Sequence, residues 1–154
     1  VQSRKIEKKE GAELMTEYIL HIIGGILLVF TVIDDLKYKQ IRIMPIILTG
    51  VLGLFLRCAL QGDIVGSLLG AIVGMLLIAI GKITRQAIGY GDGVIFISIG
   101  ILIGLKQVAA VLFISLLLAF VYSVILLVLR RAKRKTAFPF VPFVFLAYAG
   151  IHFL

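Results

Sequence analysis

From about residue 16 onward the chain is a series of apolar runs separated by short polar or glycine-bearing joints. Each run comes near the roughly 20 residues that cross a bilayer as a helix. The pattern predicts an all-α, polytopic membrane fold with six transmembrane helices, over residues 16–34, 43–60, 63–81, 93–105, 107–129 and 138–154. The fourth run is short, so it either begins at the Gly91-Asp92 bend or tilts little. Residues 1–14 differ: their charges alternate in sign and they carry no apolar period, as in a solvated tail or a short helix at the membrane surface. The apolar segment after them runs on into Asp34-Asp35 and lacks a small-x-small cleavage site, so it does not read as a removable signal. Met15-Thr16-Glu17 directly precedes the first run. This divides the chain into a polar tail over 1–14, read as an extension ahead of a start at Met15, and a six-span domain over 15–154.

Within the runs most polar and small residues read as packing devices. Gly24-Gly25 permits a close helix contact, and Gly66-Ser67, Gly70 and Gly74 set small residues about every fourth position. Gly100 and Gly104 do the same in span four. Pro45 falls where a first-turn proline is tolerated, and Asp63 reads as an N-cap. Pro139 and Pro142 predict irregular first turns in the last span, which must then be buried in protein or line a cavity. His21 reads as an interfacial side chain, and Cys58 as a small buried filler.

Composition agrees with a membrane class. Hydrophobic residues make up 61% of the chain, charged ones 16%, and the mean hydropathy is +1.14. The net charge of +8 does not point to nucleic acid, because the basic residues lie in the joints and not along one amphipathic face. Joints one, three and five hold ten of them: Lys37, Lys39, Arg42, Lys82, Arg85, Arg130, Arg131, Lys133, Arg134 and Lys135. Joints two and four have only Lys106, with Arg57 at the end of span two. By the positive-inside rule the odd joints face the cytoplasm, although Arg4, Lys5, Lys8 and Lys9 of the tail pull the other way. A single cysteine and two histidines far apart in sequence, His21 and His152, predict no metal site, and no cofactor motif is present.

Candidate chemistry sits in the joints. Ala87-Ile88-Gly89-Tyr90-Gly91-Asp92-Gly93 crowds three glycines around one carboxylate between two apolar runs. A carboxylate near hydrocarbon is costly to hold, and the glycines let the backbone bend and take positive φ. The plain alternative is a turn with Asp92 as N-cap of the next helix. Asp34-Asp35, at the end of span one, is the second place where acid meets a span end. With six spans, joints one and three share a membrane face, so Asp34/Asp35 and Asp92 lie at similar depth; Asp63 falls on the other face. Two carboxyls facing each other in a poorly hydrated pocket share a proton, and such a pair can polarise a water and protonate a leaving amine. A competing reading is a small proton- or cation-coupled transporter using the buried aspartates as ion sites. Its expected inverted repeats and mid-membrane breaks are not visible in the sequence.

Gly89-Tyr90-Gly91-Asp92 resembles the GxGD signature of intramembrane aspartic peptidases. Asp35-Leu36-Lys37 followed by Ile41, six spans and a Pro-Phe-rich last segment are together similar to the type IV prepilin peptidases and the related archaeal preflagellin peptidases. The resemblance covers about residues 16–154 and departs at Arg42-Ile43 and Gly93-Val94-Ile95, where relatives often have Pro-Asn and an early lysine. It implies Asp35 and Asp92 as the catalytic pair, with Asp34 hydrogen-bonding locally or facing headgroups. Gly89, Gly91 and Gly93 would be the motif's backbone, and Lys37, Ile41 and Tyr90 would contact substrate or give local support. It further implies cleavage of a prepilin or pseudopilin between its short basic leader and its apolar helix, at the cytoplasmic face of the cell membrane. Larger relatives that also methylate the new N-terminus carry paired CxxC motifs, so one cysteine implies a peptidase alone.

Overall fold

The computed structural model describes residues 2–38, 42–59, 63–84, 89–129 and 140–152. The described residues form six α-helices: α1 Gln2–Tyr38, α2 Ile43–Ala59, α3 Ile64–Ile83, α4 Tyr90–Ile103, α5 Leu105–Val128 and α6 Val141–His152. Three stretches are long and apolar enough to cross a membrane: Leu14–Lys37 within α1, Ile64–Ile83 and Leu105–Val128. The helices α2, α4 and α6 are apolar but shorter. At 14 residues, α4 rises only about 21 Å, less than the ~30 Å hydrocarbon core.

Each helix is laid down by local chemistry. α1 runs without a break from residue 2, so residues 2–14 are helical and continuous with the first apolar run. Lys, Glu, Ala and Leu are good helix formers, and no proline interrupts them. Pro45 is the third residue of α2, where backbone N–H groups have no intrahelical acceptor to lose. Asp63 caps α3 by accepting a 2.8 Å hydrogen bond from the Gly66 N–H. Between α4 and α5 the joint narrows to Gly104, at φ +80°, a conformation that an L side chain resists. It is the one glycine with positive φ among the described residues, so the freedom expected at Gly89, Gly91 and Gly93 is used instead at Gly104. α6 begins at Val141 and Pro142 fits its first turn regularly; Pro139 lies outside the described residues.

The helices assemble around α4. Gly93, Ile95, Phe96, Ser98, Ile99, Gly100, Leu102 and Ile103 are all buried, so α4 is covered on every side, as a helix without an amphipathic face must be. Its most extensive contact is with α3, which meets it antiparallel through a stripe of Ser67, Gly70, Ala71 and Gly74. A Cβ on Gly70 would collide with the Gly100 carbonyl, and one on Gly100 with the Gly70 carbonyl. The small residues expected to pack do so, backbone against backbone. α2 runs alongside α4 with Ile46, Gly50, Gly53 and Arg57 facing inward, and Ser98 Oγ donates to the Ile46 carbonyl at 2.8 Å. Cys58, the next residue, is exposed, not buried as a filler. α5 is peripheral, with Phe113, Leu116, Leu117 and Phe120 exposed, as suits a surface facing lipid. α1 and α6 lie antiparallel; Gly24 sits under the Tyr148 phenol, whose hydroxyl donates to the His21 carbonyl at 2.7 Å.

Candidate active site

These directions put the C-terminal end of α1 and the N-terminal ends of α4 and α6 together at one end of the bundle. Asp35 lies in the last turn of α1, where backbone carbonyls go unmet by N–H groups and no donor from its own helix is at hand. Its donor comes from α6: the Val141 N–H bonds to the carboxyl group. The other oxygen, Oδ2, is buried and has no hydrogen-bond partner among the described residues. An orphan carboxyl oxygen of this kind is expensive, and it marks a place suited to a water or a reacting group.

Asp92 is held differently. Gly89 is the N-cap of α4, at φ −66° and ψ 135°, and Asp92 is the third helical residue; the plain reading of Asp92 as the cap itself is therefore not what forms. The Asp92 carboxyl reaches back to the Gly89 N–H, the reciprocal half of a capping box. The Asp92 N–H in turn donates to the Gly89 carbonyl at 3.1 Å. A Cβ on Gly89 would stand 3.2 Å from Asp92 Oδ2, so glycine here leaves room for the carboxyl. Gly93 instead serves packing, since a Cβ there would run into Ile78 and stand 3.3 Å from the Gly74 carbonyl.

The two carboxyls are close enough for their charges to interact. Asp34, one residue away, turns to the joint and pairs loosely with Arg42 at 3.7 Å. Successive helical residues diverge by about 100°, so the side chains of Asp34 and Asp35 leave α1 in different directions. Lys37 is exposed in the last turn of α1 and Tyr90 is exposed at the first position of α4. Ile41 lies outside the described residues. Asp63 stands at the far end of the bundle, as the parity of the joints predicts.

Sequence reasoning missed the polar residues at that far end. Arg57, counted only as a topology signal, is 2% exposed. Its guanidinium meets Glu17 through both Nη atoms, at 2.8 and 3.2 Å, and donates to the Leu102 carbonyl at 2.7 Å. His21 and His152, far apart in sequence, have ring centroids 4.3 Å apart. The parity that paired the acids would have gathered these residues as well, because each lies at the even-joint end of its helix.

Comparison with known proteins bears on the whole arrangement. Residues 22–124, which carry both acids and all of α2, α3 and α4, match the model of the type IV leader peptidase family. Over 76 residues the chain is 37% identical to a prepilin leader peptidase/N-methyltransferase of Bacillus subtilis (strain 168), a match covering 49% of this chain and 31% of that relative. The match thus spans about a third of that relative's length. No solved structure matches. With two thirds of its length under one family model, the stretch holding both interacting carboxyls included, the chain belongs to the type IV leader peptidase family.

Proposed function

We propose that the chain is an intramembrane aspartic endopeptidase that removes the short basic leader from type IV prepilins or pilin-like proteins. The observation that supports this reading is that Asp35 and Asp92, from helices remote in sequence, lie close enough for their charges to interact, with Asp35 Oδ2 lacking a hydrogen-bond partner among the described residues. In the proposed reaction the two carboxyls share one proton and hold a water between them. The ionised carboxyl takes a proton from that water as it attacks the scissile carbonyl. The protonated one donates to the developing oxyanion, and the nitrogen of the collapsing intermediate leaves as an amine after taking up a proton from the pair. The backbone N–H groups of Val141 and Gly89 each face one of the two carboxyls and favour its ionised form.

The same reading gives all six helices as spans, the short ones crossing where neighbouring helices thin or bridge the bilayer. The basic odd joints put the acids at the cytoplasmic face of the cell membrane. The substrate's apolar helix enters from the lipid and its leader stays on the basic side, with Lys37 and Tyr90 exposed beside the acids. The reading is of peptidase activity alone, since this stretch holds a single cysteine and no paired CxxC. Asp35→Asn and Asp92→Asn are each expected to abolish cleavage of a prepilin in proteoliposomes, while Asp34→Asn and Asp63→Asn retain most of it. Full activity in Asp92→Asn would overturn the reading.

A further inference from the structure

The start of α6 has few backbone donors to offer the acids. Pro142, its second residue, has no N–H. The N–H groups of Phe143 and Val144 both donate to the Phe140 carbonyl, at 3.0 and 3.3 Å. What remains of the first turn is the Val141 N–H, and it is the one that faces the Asp35 carboxyl. A donor is useful only in the right place, because a hydrogen bond weakens steeply as its length and angle depart from ideal. Whatever sets the height and tilt of this turn therefore sets the surroundings of Asp35.

Two ring contacts hold the turn from either side. Phe140 lies against Phe96 of α4, with centroids 6.3 Å apart and planes tilted by 33°, and Phe143 rests on Tyr122 of α5 at 5.3 Å. Both separations fall in the range of favourable aromatic pairs. Phe96 is fully buried and stands about one helical turn beyond Asp92, so it offers a firm seat on the helix that carries the second acid. α6 otherwise packs chiefly along α5 and α1. The Phe140 carbonyl accepts the first hydrogen bonds of α6, so its ring and that turn move as one body. We propose that Phe140 is a positioning residue for the acid pair: its ring, seated on Phe96, places the first turn of α6 so that the Val141 N–H meets Asp35. Phe140 thus ties the donor that serves one acid to the helix that carries the other. Only the consequence for turnover rests on the peptidase reading.

The test uses the full chain in detergent micelles, isotope-labelled on valine nitrogen. In the unsubstituted protein Asp35→Asn should shift the Val141 amide resonance. Phe140→Ala and Phe140→Leu, which remove the ring, should abolish that response, and Phe140→Tyr, which keeps it, should preserve it. If the alanine variant does not fold, the leucine variant decides. Tyr148→Phe is the control: it removes a hydrogen bond from the far half of α6, lowering the melting temperature while leaving the response intact. In proteoliposomes with a prepilin, Phe140→Leu should lower kcat roughly 10- to 100-fold with KM little changed, and Phe140→Tyr should restore it. A Val141 amide indifferent to Asp35→Asn, a response that persists in both ring-less variants, or an equal fall in kcat in Tyr148→Phe overturns the proposal. An intact response in a protein that cleaves no prepilin would sink the peptidase reading and leave the positioning role standing.

Discussion

The two ends of the bundle treat their charged groups differently: one pairs opposite charges, the other sets two acids within reach of each other. At the far end, Arg57 is buried with both Nη atoms clamped by a two-pronged carboxylate and by backbone carbonyls from the ends of two other helices, while its Nε has no hydrogen-bond partner among the described residues. Nearby, Gln107 joins His21 and His152, and Asp63 caps α3. At the acid end, Asp35 and Asp92 are each reached by a backbone N–H from a helix start, and Asp35 Oδ2 has no partner among the described residues. A cluster in which opposite charges pair ties helix ends together. One that leaves an acceptor open keeps a place for chemistry, at a cost in stability met by the rest of the fold.

If this contrast is real, substitutions at the two ends should separate activity from stability. The largest effect belongs to the acids: Asp35→Asn or Asp92→Asn should lower prepilin cleavage by at least the roughly 10²–10⁴-fold typical of removing a general acid or base. Unfolding in detergent should change little or shift upward, since an amide relieves the repulsion between two carboxyls. A cleavage assay paired with a thermal melt reads both, and a collapse of the melt would break the contrast.

Glu17→Ala comes next, with the opposite signature. It leaves the Arg57 charge buried with carbonyls only, and should cost about 2–4 kcal/mol. That is below the ~3–5 kcal/mol of a fully buried pair because the Glu17 side chain is 40% exposed. Denaturant titration measures the loss, and cleavage below the melting point should persist. Gly100→Ala falls between the two ends: its Cβ meets the Gly70 backbone, so α3 and α4 must separate at an expected cost of roughly 1–3 kcal/mol. Because α4 carries Asp92, partial loss of cleavage should accompany it, visible as lower turnover in samples shown to be folded. Asp63→Ala is the mildest, removing one N-cap bond for about 1 kcal/mol, with cleavage unchanged. A large cleavage defect there would mean that the far end is coupled to the site.

Much of this was legible in the chain. The apolar runs located six helices, to within a few residues except at the start of α1, the Asp63 cap and the α3–α4 glycine seam were readable from spacing, and counting joints put Asp35 and Asp92 on one side. Local rules settle these features, because a helix start, a small-residue stripe and a joint's parity each depend on residues within a few positions. Other features needed three dimensions. That Gly104 would take positive φ while Gly89 caps with ordinary angles depends on how tightly α4 must turn into α5. Cys58 and Arg57 are adjacent on α2, yet one is exposed and the other buried, a distinction set by which face α4 covers.

The sequence by itself determined an apolar, all-helical chain with its acids at helix ends, because hydrophobic periodicity and joint spacing act locally along the backbone. Only the tertiary structure decided which N–H groups would hold those acids, which oxygen would be left free, and that His21 and His152 would meet. Such partners are chosen by the rotation and depth of one helix against another, and these come from the sum of many weak packing contacts that no short stretch of sequence contains.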